Sequence, residues 1–217
     1  AHPVAPAPAS AVLSGALIKA GLFGWLRFLP LGVVARPSWG AALVVIGVVT
    51  IVYAAVVGAL QRDPKTVLAY SSVSQMGYMV LPIGIALAVP GAAVAAIAAS
   101  LLFAQQHVLV KGALFLGTGV AAEAVQPRTR RLVIGGLAVS AFAIAGGPLT
   151  SGALAKLAVK GITSSMPNAS LLGAALAVGS VGSTLLMARF LVSVVWVPRS
   201  EHTDDSQQSH GLVAPWL

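Results

Sequence analysis

Polar and apolar positions fall in long blocks along this chain, not in the short alternation of surface strands or the 3.6-residue period of surface helices. Apolar runs of about 20 residues, the length that crosses a bilayer core, are separated by brief clusters of Pro, Gly and charge. The stretch AHPVAPAPAS opens the chain, with Ser10 suited to N-cap the run at 11–29. The turn PLGVVARPSWG leads into a second run at 40–61, and the charged turn QRDPK into a third at 65–88. VPG at 89–91 precedes a long fourth run at 92–122, which ends in the basic loop EAVQPRTRR. A last run covers 169–197, and 198–217 form a polar tail. The blocks predict an all-α, polytopic transmembrane helix bundle of about six spans.

Residues 131–165 do not fit the pattern as one ordinary span. A continuous helix there would be about 50 Å long at 1.5 Å per residue, against a bilayer core of about 30 Å. Two spans would each be short. The stretch AGGPLTSG at 145–152 puts Gly146, Gly147 and Pro148 inside the run, where a helix interior disfavours them. We expect one discontinuous helix, a device that exposes free backbone groups within the membrane. Two separate spans are the alternative.

Composition agrees with the blocks. Of the 217 residues 58% are hydrophobic and only 8% charged, whereas soluble domains carry about 25% charged residues. The net charge of +8 comes from cations scattered among apolar runs and short loops, so no nucleic-acid partner is expected. There is no Cys, and the four His lack carboxylate or thiolate neighbours at metal-ligand spacing, so neither a metal nor a cofactor is expected. The sequence begins at Ala1 without a charged n-region or cleavage site, and is expected to be an internal piece of something longer. With one broken helix, Arg62, Lys65, Arg128, Arg130, Arg131 and Arg199 fall on one side and Arg27 and Arg36 on the other. The positive-inside rule then puts the two basic loops in the cytoplasm.

Three lysines contradict the apolar setting. Lys19, Lys111 and Lys156 each lie well inside a predicted span, where a lysine costs about 2.5–3.5 kcal/mol and is a functional candidate by default. Lys160 and Arg189 lie nearer helix ends and are expected to snorkel toward the headgroups. His107 precedes Lys111 by four positions, so imidazole and amine share one helix face about 6 Å apart. Both groups exchange protons, and Gln105, Gln106 and Thr118 stand nearby to hold water. Gluing helices together by hydrogen bonds is the alternative role. No Asp or Glu falls inside a span: Asp63 and Glu123 sit in loops, and Glu201, Asp204 and Asp205 in the tail.

The stretch DPKTVLAYSSVSQMGYM at 63–79 closely resembles the signature of the antiporter-like membrane subunits shared by complex I (NADH:quinone oxidoreductase), membrane-bound hydrogenases, formate hydrogenlyase and Mrp cation/proton antiporters. Other segments follow in the family's order. SAVLSGALIKAGLFGWLRF is similar to its eighth helix, with the relay lysine at Lys19. HVLVKGALFLGTG resembles its His-x-x-x-Lys helix, giving His107 and Lys111. GGPLTSGALAK resembles the broken twelfth helix with its terminal lysine at Lys156, and STLLMARFLV the helix after it.

The resemblance covers residues 1–197, as a transmembrane domain made of the end of a first repeat (1–30) and a second five-helix repeat (40–197). It implies a proton-translocating subunit, or a fragment of one, with Lys19, His107, Lys111 and Lys156 as a proton relay in the cell's inner (plasma) membrane. The implied partners are the lipid bilayer, other membrane and redox subunits, and protons, with sodium as the alternative ion. The chain itself offers no catalytic redox residue. The rival readings are a subunit of an Mrp-type cation/proton antiporter and a truncated structural subunit that only packs against its sisters. Departures from the family pattern are Phe103, where an additional His is usual, and Thr66, where Arg is usual. The glutamate and lysine of the family's first half-channel have no counterpart in this sequence.

Overall fold

The computed structural model describes residues 4–124 and 126–196. They form α1 (Ala7–Phe28), α2 (Pro37–Ala59), α3 (Pro64–Ala88), α4 (Ala93–Glu123), α5 (Pro127–Ala145), α6 (Ser151–Thr163) and α7 (Ala169–Trp196), with no strand among the described residues. Five of these helices, α1, α2, α3, α4 and α7, are long and apolar enough to cross a membrane. The protein is an all-α, multi-pass membrane bundle. Arg199 and the polar tail lie outside the described residues.

The helix starts follow from local chemistry. Proline stands in the first turn of α2, α3 and α5, where its missing N–H costs nothing. In QRDPK, Asp63 caps α3 by accepting from both the backbone N and the Oγ1 of Thr66, each at 2.7 Å. The start of α1 differs from the expectation. Pro6 holds the N-cap position, and Ser10 sits inside the first turns with its backbone N donating to Pro6 O at 3.0 Å. Prolines at 6 and 8 favour the earlier start, because both occupy positions whose N–H a helix leaves free. Between Leu13 and Leu17 α1 widens into a π-turn, which the sequence does not announce. Glu123, expected in a loop, ends α4.

Helix α3 is the axis of the bundle: 83% of its most apolar window is buried, against at most 44% for any other span. It runs antiparallel to α2 at backbone contact. A Cβ on Gly84 would stand 2.7 Å from Gly40 O, and one on Gly47 would stand 2.9 Å from Gly77 O. Lipid is as apolar as Leu, so membrane helices associate through such small-residue packing and through internal polar contacts.

Contacts at the helix ends fix the topology. At one end Lys65 Nζ donates to Ala5 O (3.0 Å), Arg189 Nε to Gln61 O (3.0 Å) and Arg130 to Val194 O (3.4 Å). At the other, Arg36 N donates to Leu87 O at 2.8 Å, and Val89 and Gly91 border the same groove as Ser165 and Met166. Helix α5 thus begins at the basic end, and α6 finishes at the opposite one. The stretch from 127 to 163 crosses once, as a single discontinuous helix. The described basic residues Arg62, Lys65, Arg128, Arg130 and Arg131 gather at one end, and Arg27 and Arg36 at the other.

Candidate functional site

The interruption between α5 and α6 is built by its own sequence. Gly146 takes the left-handed conformation at φ 86°, Gly146 N donates to Ala143 O (3.1 Å) and Gly147 N to Phe142 O (3.0 Å). This is a Schellman ending. Thr150 then caps α6, accepting from Ala153 N at 3.2 Å while its hydroxyl donates to Gly147 O at 2.7 Å. Pro148 cannot continue α5, and Leu149 follows with φ 63°, a costly conformation for a bulky residue. The carbonyl of Ala145 is left free by the ending, and Lys156 Nζ donates to it at 2.7 Å. A cation at this negative helix end is favourably placed. Gly146 and Pro148 border a cavity of about 400 Å³ that Tyr78, Lys156, Lys160 and Ser180 also line.

The other three expected residues form one buried cluster. Lys19, His107 and Lys111 are each at most 1% exposed. Lys19 Nζ lies 2.6 Å from His107 Nδ1 and donates to Ser14 O at 2.7 Å. The π-turn of α1 lies beside this contact: Ile18 N donates to Leu13 O at 3.3 Å, five positions back, and not to Ser14 O as in an ordinary helix. Lys111 Nζ donates to Leu68 O at 2.8 Å and to the Ser71 hydroxyl. The hydroxyls of Ser71 and Ser72 also donate to Leu68 O, at 2.8 and 3.2 Å, and Ser72 Oγ pairs with Ser14 Oγ. A run of polar groups therefore leads from Lys111 through Leu68 O, Ser72 and Ser14 to Lys19 and His107. No carboxylate joins it among the described residues.

Lys156 stands apart from this run. Its ammonium lies 5.5 Å from the centroid of the Tyr78 ring, and that ring stacks on Phe103 at 5.2 Å. The hydroxyl of Tyr78 donates to Leu176 O at 3.1 Å. Lys160 is exposed on α6 and borders the same cavity, and Arg189 Nε donates to Gln61 O at the basic end of the bundle. Gln105 is exposed and faces away from the cluster, while Thr118 spends its hydroxyl on Leu114 O of its own helix at 2.7 Å. Only Gln106 of the expected water-holding trio is buried near the cluster with free polar atoms.

The residues that sequence reasoning passed over are Ser14, Ser71, Ser72 and Tyr78. Their signal was present, since the apolar third span carries Ser71, Ser72, Ser74, Gln75 and Tyr78, all buried. Ser71, Ser72 and Tyr78 stand in the motif at 63–79 and Ser14 in the first span, each a polar side chain inside an apolar run.

Residues 1–186 match the sequence family described as NADH:quinone oxidoreductase/Mrp antiporter, TM. The chain is 33% identical over 128 residues to hydrogenase-4 component B of Escherichia coli (strain K12), covering 55% of this chain and 19% of that protein. It is 40% identical over 121 residues to NADH-ubiquinone oxidoreductase chain 4 of Chondrus crispus, covering 55% of this chain and 23% of that one. To a hydrogenase-4 component F homolog of Methylacidiphilum infernorum it is 32% identical over 230 residues, covering 99% of this chain and 45% of the relative. The chain thus spans less than half the length of these relatives.

Proposed function

Because the chain belongs to the NADH:quinone oxidoreductase/Mrp antiporter family, we propose that it is part of a proton-translocating membrane subunit in a complex I-like or hydrogenase-type assembly. In this reading it supplies the end of one repeat and the whole second five-helix repeat, in the inner (plasma) membrane of the cell. Redox subunits drive it, and Lys19, His107, Lys111 and Lys156 relay the protons.

The observation that carries the proposal is the buried polar run from Lys111 to His107. Inserting lysine into a membrane is unfavourable, and three lysines well inside the bundle are held by neutral oxygens and one imidazole. A purely structural ammonium would be steadier beside a carboxylate. Neutral partners leave each amine able to give up its proton without stranding an anion. Serine hydroxyls and imidazole both donate and accept, so they can pass protons, whereas Leu68 O and Ser14 O only accept and anchor the two ammonium groups. The free backbone at the break then offers Lys156 a polar terminus next to a cavity.

The test is proton uptake by the whole assembly in sealed vesicles. Lys111→Met removes the proton site and keeps the apolar stem, while Lys111→Arg keeps a charge that does not come off. Both should lower uptake by about tenfold or more, in the range of a lost proton-transfer group, with normal amounts of complex in the membrane. If the lysine only glued helices, Arg would be tolerated and Met neutral or stabilising. Sodium-dependent proton exchange in the same vesicles would instead favour the antiporter branch.

A further inference from the structure

A cleft of about 510 Å³ opens at the Arg36 end of the bundle, away from every residue of the relay. It lies where α1 ends, α2 begins and α3 ends. Leu87, 3% exposed, is its most buried wall, and Leu29 and Leu43 line it while packing against the core. Trp25 and Trp39 stand exposed on its border. The single charged residue that lines it is Arg36, whose side chain is also exposed.

That charge has no protein counterpart nearby. Asp63 and Glu123 are the only acids among the described residues, and both stand at the opposite end, where α3 begins and α4 finishes. Arg27 adds a second cation at the Arg36 end. The start of α2 has no side-chain cap, so its first-turn N–H groups and the positive end of its dipole add to the field there. The cleft therefore pairs a cationic mouth with an apolar wall. From Arg36 to Leu43 is seven positions along α2, a rise of about 10 Å, against roughly 15 Å for half of the bilayer core. Tryptophan at a helix end marks the headgroup level. Charge and hydrocarbon thus follow each other in the order of a phospholipid.

We propose that this cleft binds an anionic phospholipid, with its phosphate on the Arg36 guanidinium and one acyl chain lying along Leu43 between α1 and α2. The proposal does not rest on the relay reading. A guanidinium takes phosphate through two parallel N–H···O bonds, and basic pockets between membrane helices hold anionic headgroups. A choline or ethanolamine headgroup would bring an ammonium to Arg27 and Arg36 with no acid of the described residues to receive it. A partner helix fits these walls less well. Membrane helices meet on small residues, as α2 and α3 do at Gly40, Gly47, Gly77 and Gly84, whereas Trp, Leu and Pro wall the cleft. A flexible acyl chain fills such a hollow without a matching surface.

The test is photolabelling of the whole assembly in lipid nanodiscs. The probe is phosphatidylglycerol with a photoreactive group on one acyl chain, compared with phosphatidylcholine carrying the same chain, and peptide mapping locates the adducts. At residues 29–43 the phosphatidylglycerol probe should label about fivefold more, the worth of one basic residue against anionic lipid. Unlabelled phosphatidylglycerol, but not phosphatidylcholine, should compete it away. At Val49 and Val56, exposed on α2 outside the cleft, the two probes should label alike. Arg36→Gln should bring the ratio at 29–43 to near one. Equal labelling of the cleft by both probes in the unaltered protein, or a preference that survives Arg36→Gln, overturns the proposal. So does an unlabelled cleft beside normal labelling at Val49, the result expected if a partner subunit covers it. If Arg36→Gln fails to assemble, the competition in the unaltered protein decides.

Discussion

At the residue scale, the cluster shows how much one carbonyl can organise. Leu68 O accepts from Lys111 Nζ and from the hydroxyls of Ser71 and Ser72, so the ammonium of α4 is moored to α3 by backbone rather than by a charge. Ser71 supplies the second contact to Lys111. Replacing it with Ala leaves the carbonyl and removes the hydroxyl. A net hydrogen bond is worth about 0.5–1.5 kcal/mol, so uptake by Ser71→Ala should fall about two- to tenfold, less than for Lys111→Met. Uptake unchanged within error would place Ser71 outside the path. The four-residue spacing of His107 and Lys111 was readable from helical geometry alone. The 2.6 Å approach of Lys19 to His107 was not, because it joins positions 88 apart in sequence and depends on how α1 packs against α4.

At the scale of elements, helix limits were largely legible. Pro, Gly and charge punctuate apolar runs wherever the backbone must leave the bilayer, and AGGPLTSG carries its own stop and start signals. The π-turn at Leu13–Leu17 was illegible. Ser14 and Gly15 weaken an ordinary helix without specifying a widened turn, which is held by its neighbours, such as Ser72 on Ser14. The break offers a paired test. Gly146 has φ 86° and a Cβ there would stand 2.9 Å from Lys156 Cδ, whereas a Cβ on Gly135 of α5 would meet nothing within 4 Å. Gly146→Ala should destabilise the solubilised protein by about 1–3 kcal/mol through backbone strain and displace Lys156. Gly135→Ala should be neutral or slightly stabilising through helix propensity. Thermal unfolding in detergent reads both, and equal melting temperatures would refute the assignment of strain to the break.

At the scale of the whole molecule, the sorting of cations between the two ends was read from sequence, and the end contacts make it geometrical. The chain contains no Cys, so single-cysteine variants need no background removal. A membrane-impermeant thiol reagent applied to intact cells should label Cys at Val33, which is 79% exposed at the Arg36 end, and leave Cys at Thr129 unlabelled. The opposite pattern would invert the orientation. Helix α3 also serves as a ruler for the polar run. Lys111 is tied to it at Leu68 and Lys156 faces it at Tyr78, ten positions further along, a rise of about 15 Å. The level of Lys156 is therefore offset from that of the polar run by about half of a 30 Å core. A proton that travelled between the two would move through roughly half of the membrane voltage, about 1 kcal/mol at 100 mV. In the relay proposed above, the offset would make transfer between the lysines an electrogenic step, so that the electrical gradient would bear on that transfer and not only on uptake and release at the two faces.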